Sequence, residues 1–151
     1  MDIRQWNERN AAISKKYDSV YHRLAQKYGF SDLQHWILYH LYSTGRQDCT
    51  QNTLAAEFCM PKQSVNSACA RLRDMGYIAL TPCSGANKKV LALTEEGIAA
   101  CEKCVRPLLE AEKRVIEKTP HGELELYLGM LERRYEILYG EIAPLLETEN
   151  E

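Results

Sequence analysis

Residues 50–94 read TQNTLAAEFCMPKQSVNSACARLRDMGYIALTPCSGANKKVLALT, and the fold of the chain turns on how this stretch is parsed. Thr50 offers a side-chain cap to a short helix over 51–58, whose Leu54, Ala55 and Phe58 point inward. Met60-Pro61 breaks that helix, because proline disfavours helix in the residue before it and suits the first turn of a new one. The next helix spans 62–75. Val65, Ala68, Cys69 and Leu72 share one face of it, while Gln63, Ser64, Asn66, Ser67 and Arg71 lie off that face, and Gly76 stops it. Residues 77–80 (YIAL) and 90–93 (VLAL) are short strands, and the polar, glycine-containing run 82–89 suits a hairpin loop of about eight residues. Two close helices followed by a hairpin are the outline of a winged helix-turn-helix, which lays its second helix in a DNA major groove.

The flanks are helical. Trp6, Ile13, Tyr17, Val20, Tyr21, Leu24 and Tyr28 recur at helical spacing before Gly29, and Ser31-Asp32 caps a helix carrying Leu33, Trp36, Ile37, Leu38, Tyr39, Leu41 and Tyr42. Apolar residues cover more than one face of that second helix, so it belongs inside the domain. After the hairpin, Thr94-Glu95-Glu96-Gly97 starts a long helix with a threonine cap and acids in its first turn. Pro107 predicts a kink or break within it. A turn at 119–122 leads to a last helix bearing Leu124, Leu128, Leu131, Tyr135, Leu138, Ile142 and Leu145. The fold class is therefore mainly α with a small β-hairpin wing. Residues 1–151 are expected to form a single domain, with 31–94 as the winged helix-turn-helix core and 1–29 and 95–151 as a dimerisation region. A two-fold homodimer would set two DNA-reading helices roughly one helical turn of DNA apart.

Composition fits this outline. Hydrophobic residues make up 45% and charged residues 26% of the 151, as in an ordinary soluble globular protein. The net charge of −2 hides an uneven distribution. Lys62, Arg71, Arg73, Lys88 and Lys89 face a single acid, Asp74, between Pro61 and Lys89, whereas six glutamates crowd the stretch from Glu132 onward. No apolar run approaches the ~18 residues of a membrane span, and the N-terminus lacks the pattern of a signal peptide, so a cytoplasmic protein with no membrane partner is expected. Cytosolic redox conditions would leave the six cysteines as free thiols.

Across nearly its whole length the chain resembles the MarR (multiple-antibiotic-resistance regulator) family. The resemblance is carried by Arg71-Leu72-Arg73-Asp74-Met75-Gly76-Tyr77-Ile78, by Leu93-Thr94-Glu95-Glu96-Gly97 and by the spacing between them. It implies a dimeric bacterial transcription regulator, typically a repressor, that binds a near-palindromic operator in double-stranded DNA and releases it when a small molecule binds. The resemblance places Lys62, Gln63, Ser64, Ser67 and Arg71 against DNA with Asn66 at the edge, and the reading extends along the helix to Arg73. Gln and Asn pair with adenine, Arg and Lys with guanine, and Ser with base or phosphate. Thr50 and Gln51 would hold phosphate through backbone N–H groups. The wing departs from the family pattern: its usual Asp and Arg fall on Gly85 and Asn87, and Leu80 replaces a frequent Arg. Asn87, Lys88 and Lys89 remain as wing contacts, and the two lysines would add mainly non-specific affinity.

For the inducer, the resemblance points between the early helices and the base of the wing, where Tyr17, Tyr21, Trp36, Tyr39 and Tyr42, with His35 and His40 near them in sequence, could stack on an aromatic ligand. The same aromatic spacing also suits core or dimer packing. Cys101-Glu102-Lys103-Cys104 offers an alternative, a thiol-redox-responsive regulator, against the plainer reading of Cys69 and Cys101 as small core residues. Zinc ligation would need two further ligands, and the histidines lack metal spacing. No cofactor is expected. With no phosphate-binding glycine loop, nucleophile motif or paired carboxylates, an enzyme is not expected either. A third reading is a dimeric winged-helix adaptor that no longer binds DNA.

Overall fold

Seven helices bracket one hairpin in the computed structural model, which describes residues 2–82 and 89–146: α1 (Ile3–Lys27), α2 (Asp32–Thr44), α3 (Gln51–Glu57), α4 (Lys62–Asp74), β1 (Ile78–Pro82), β2 (Lys89–Leu93), α5 (Glu95–Cys104), α6 (Arg106–Lys118) and α7 (His121–Leu146). Gly85, Asn87 and Lys88 lie outside the described residues.

Local chemistry sets the boundaries. Ser31 caps α2 by accepting from the Gln34 N–H at 3.3 Å while the Gln34 side chain accepts from the Ser31 N–H at 2.8 Å. Thr94 caps α5 through the Gly97 N–H at 2.9 Å, and its hydroxyl also donates to the Gly76 carbonyl at 2.6 Å. One side chain thereby ties the start of α5 to the end of α4. Gly76, at φ 76°, adopts the left-handed backbone that lets the chain leave α4 and enter β1. The expected disturbance at Pro107 falls two residues earlier: α5 ends at Cys104 and α6 begins at Arg106. Pro107 then occupies the first turn of α6, where its missing N–H deprives no helical bond.

The chain divides into two compact units, 1–109 and 110–151, with the boundary inside α6. The first unit holds the core. Ile37 and Leu38 from α2, Leu54 from α3, Val65 and Leu72 from α4, and Leu91 from β2 are fully buried, each contributing about 1.5–3 kcal/mol by removal from water. α2 is thus the internal helix that its sequence suggests. β1 and β2 pair antiparallel from Ile78 opposite Leu93 to Pro82 opposite Lys89. The hairpin is held to the helices by the Leu91 N–H, which donates to the Cys49 carbonyl at 2.7 Å just before α3.

The second unit contains the rest of α6 and all of α7, and it buries little. Leu126, Leu128, Leu131, Tyr135, Leu138 and Leu145 of α7 are all exposed. In the first unit, Ile3, Trp6, Ile13, Tyr17 and Val20 leave the stripe along the N-terminal part of α1 exposed as well.

Candidate nucleic-acid interface and neighbouring cavities

The helix most suited to a groove is α4. Its buried face, Val65, Ala68, Cys69 and Leu72, packs into the first unit, which fixes the opposite face outward. Lys62, Gln63, Asn66, Ser67, Arg71 and Arg73 are exposed, and Ser64 is half-buried. These residues recur three or four positions apart, so Gln63, Ser67 and Arg71 form one ridge beside Lys62 and Asn66. The ridge carries bidentate amides, hydroxyls and cations, the donor and acceptor set that reads base edges and grips phosphate. Of the expected wing contacts, Lys89 is described: it is exposed at the start of β2.

Thr50 and Gln51 sit at the start of α3, but their side chains are engaged within the fold. The Thr50 hydroxyl accepts from the Thr53 N–H at 3.1 Å, and the Thr53 hydroxyl accepts from the Thr50 N–H at 2.7 Å. Gln51 hydrogen-bonds the Cys69 thiol on α4. That leaves first-turn backbone N–H groups as the means by which this end of α3 would meet phosphate.

Between α3 and α4 the turn passes through Cys59 at φ 50°, a left-handed conformation for a residue with a Cβ. At the same end of α3, its last residue, Glu57, is fixed from two directions. Arg46 donates from Nη1 to Glu57 Oε1 at 2.6 Å, while its Nε and Nη2 hold Asp48 at 2.9 and 3.2 Å. The Asp48 and Glu57 carboxylates hold the Arg46 guanidinium firmly protonated, and Arg46 in turn lowers the Asp48 carboxyl. His40 Nε2 lies 3.2 Å from Glu57 Oε2, and the imidazole meets the Phe58 ring edge-on at 5.6 Å. Sequence reading gave Arg46 and Glu57 no role, because nothing in their spacing links a loop residue to a helix end eleven positions away.

Two of the cavities among the described residues border the elements named above. The larger, about 710 Å³, is bounded by Leu41, Tyr42 and Arg46 on one side and by Val90, Leu93 and Ile98 on the other. The smaller, about 260 Å³, is lined by Asp18, Tyr21, His22, Asp32, His35 and Trp36. The aromatic residues named as a ligand pocket are therefore divided. Tyr21, His35 and Trp36 border the smaller cavity and Tyr42 the larger. Tyr39 packs edge-on against Trp36 at 5.4 Å, and Tyr17 is exposed on α1. Tyr42 also donates to Glu102, whose other carboxylate oxygen accepts from Arg106 at 2.7 Å. The Tyr42 hydrogen bond and then Arg106 hold Glu102 below the usual carboxylate range.

The Cys101/Cys104 pair is placed poorly for redox sensing. Both are buried, and burial pushes both thiols up, Cys101 to about 12. A thiol held protonated at neutral pH is a weak nucleophile. Cys69, also buried, is pushed up to about 11, and burial likewise raises Cys49. Cys59 is exposed. Among the described residues no group of three or more His, Cys, Asp or Glu side chains is placed to hold a metal ion, and no helix is long and apolar enough to cross a membrane.

The chain is similar to known proteins in sequence over residues 28–86 and in fold over most of its length. Residues 28–86 match the MarR family profile. Among solved structures, NMB1585, a MarR family regulator from Neisseria meningitidis, superposes with a TM-score of 0.76 at 20% identity, covering 95% of this chain and 99% of that one. MepR from S. aureus, solved in complex with DNA, superposes with a TM-score of 0.73 at 20% identity over 85% of this chain and 92% of its own. The transcription regulator MarR from Oenococcus oeni PSU-1 gives 0.72 at 15% identity, over 87% and 98%. At these identities the likeness establishes the winged-helix fold. No curated protein matches the chain in sequence.

Proposed function

We propose that this chain is a MarR-family winged-helix transcription regulator, a reading that the match over residues 28–86 supports, and that it binds double-stranded DNA as a homodimer and inserts α4 into the major groove. The outward ridge of α4 carries this reading. Lys62, Gln63, Asn66, Ser67 and Arg71 stand exposed on a helix whose other face is locked into the core, so the ridge is presented rigidly and little ordering is needed on binding. Arg73 and Lys89 extend the positive surface toward phosphate, and Asn87 and Lys88 would add to it from the wing. Thr50 and Gln51 contribute through the backbone at the start of α3.

Exposed apolar surface supports the homodimer. α7 exposes a long run of apolar side chains, and so, separately, does the N-terminal part of α1; a two-fold partner would cover such surface. The protein acts in the bacterial cytoplasm as a repressor on a near-palindromic operator, and a small aromatic ligand releases it. The larger cavity supports that last step: its volume lies in the range of small-molecule sites, and apolar side chains line it together with the Tyr42 ring, the Arg46 guanidinium and the polar side chains of Gln47 and Thr81.

Gel shift against the region upstream of the protein's own coding sequence, at 100 mM salt, tests the reading. A discrete complex that survives excess random competitor is expected. Binding indistinguishable from random DNA would favour the adaptor instead.

A further inference from the structure

We propose that the larger cavity selects an uncharged aromatic molecule bearing a carbonyl group and rejects the matching carboxylate. This selection rests on the cavity being the inducer site, and it names the inducer's class.

The walls supply shape and hydrocarbon. Leu41 of α2, Val90 and Leu93 of β2 and Ile98 of α5 line about 710 Å³ of space, ample for a fused-ring molecule. Ionisable side chains are scarce there: among the described lining residues they are the Tyr42 phenol and the Arg46 guanidinium. Tyr42 donates to Glu102, and that hydrogen bond, followed by burial, raises the phenol. The ring therefore stays uncharged at neutral pH.

A lone arginine would make such a site attract anions, but the charge of Arg46 is already matched twice. Its Nε and Nη2 hold the Asp48 carboxylate at 2.9 and 3.2 Å, and its Nη1 holds Glu57 at 2.6 Å. One cation between two carboxylates leaves the three side chains with negative charge in excess. A carboxylate on the ligand would either face Asp48 and Glu57 or displace one of them, and like charges brought together are strongly disfavoured. A neutral carbonyl meets no such repulsion. Asp48 and Glu57 occupy three of the five N–H groups of the guanidinium, so two remain for an uncharged acceptor. The Thr81 hydroxyl is turned to the Val90 carbonyl at 3.4 Å, and the Gln47 amide offers the cavity a second polar contact.

The test titrates the full chain at pH 8 with naphthamide and with naphthoate, which share a ring system and differ in charge. Backbone amide NMR shifts of Gln47, Val90, Leu91 and Leu93 report occupancy of the cavity. Naphthamide is expected to bind at least about fivefold tighter than naphthoate. Asp48→Asn takes one negative charge from beside Arg46 at nearly constant shape. In that variant naphthoate gains, naphthamide is unchanged, and the difference narrows to about twofold or less. Naphthoate binding the wild type as tightly as naphthamide, a preference untouched by Asp48→Asn, or no shift of these amides by naphthamide up to its solubility limit would each overturn the proposal. DNA release is a separate readout: naphthamide that occupies the cavity and leaves DNA bound would count against the inducer reading and leave the charge selection standing.

Discussion

Gly97, in the first turn of α5, lies against the backbone of Tyr77: a Cβ built on Gly97 would come within 2.8 Å of the Tyr77 carbonyl carbon and closer still to its oxygen. That oxygen also accepts the Thr94 N–H at 3.0 Å. The glycine of the Leu93-Thr94-Glu95-Glu96-Gly97 motif is thus required by close backbone approach, while its own backbone angle is ordinary. Because backbone cannot rotate away as a side-chain tip can, Gly97→Ala should destabilise the fold by about 3 kcal/mol through overpacking. Urea denaturation would measure it, and a loss below about 0.5 kcal/mol would mean the contact is looser than described.

Cys59 predicts the opposite sign. At φ 50° a residue with a Cβ bears a steric cost of about 1 kcal/mol that glycine avoids. Part of that gain is offset by the greater freedom glycine has in the unfolded chain. Cys59→Gly should therefore raise stability by up to about 1 kcal/mol, measured by the same denaturation. A fall would show that the thiol, near the Ala56 carbonyl at 3.7 Å, contributes more than the strain costs.

The thiols should divide by burial. At pH 7.5, brief iodoacetamide treatment of the folded protein should modify Cys59 and leave Cys49, Cys69, Cys101 and Cys104 unmodified until denaturant is added. Peptide mass mapping reads the sites. Rapid labelling of Cys101 or Cys104 in the native state would revive redox sensing, as would a peroxide-induced loss of DNA binding abolished by Cys101→Ser.

Much of the fold was legible because it follows from local rules. The inward face of α4, the Ser31 and Thr94 caps and the hairpin between residues 78 and 93 can each be read from a few neighbouring side chains. The ridge facing away from Val65 and Leu72 follows from the same periodicity. What could not be read depends on contacts distant in sequence. Arg46 reaching Glu57, Gln51 turned inward to Cys69, and aromatic residues split between two cavities all arise from how α2, α3 and the hairpin pack. The long apolar pattern of α7 predicts a helix but not what covers it.

That cover is itself testable. If α7 is buried against a second copy, placing a charge at its middle should cost the dimer far more than the monomer. Leu131→Glu, at a position exposed in the single chain, should shift the protein from dimer to monomer in sedimentation at about 10 µM. DNA affinity should fall with it, since two half-sites can no longer be held together. An unchanged dimer would place the interface elsewhere.

If α4 reads sequence, base contacts and phosphate contacts separate when affinity for a duplex selected by the wild-type protein from a random-sequence pool is compared with that for a scrambled duplex, at one salt concentration, in the wild type, Gln63→Ala and Lys89→Ala. Gln63→Ala should lose about 1–3 kcal/mol on the selected duplex and almost nothing on the scrambled one, while Lys89→Ala should weaken both alike. Equal losses on both duplexes for Gln63→Ala, or a wild type that does not distinguish them, would contradict sequence reading by α4.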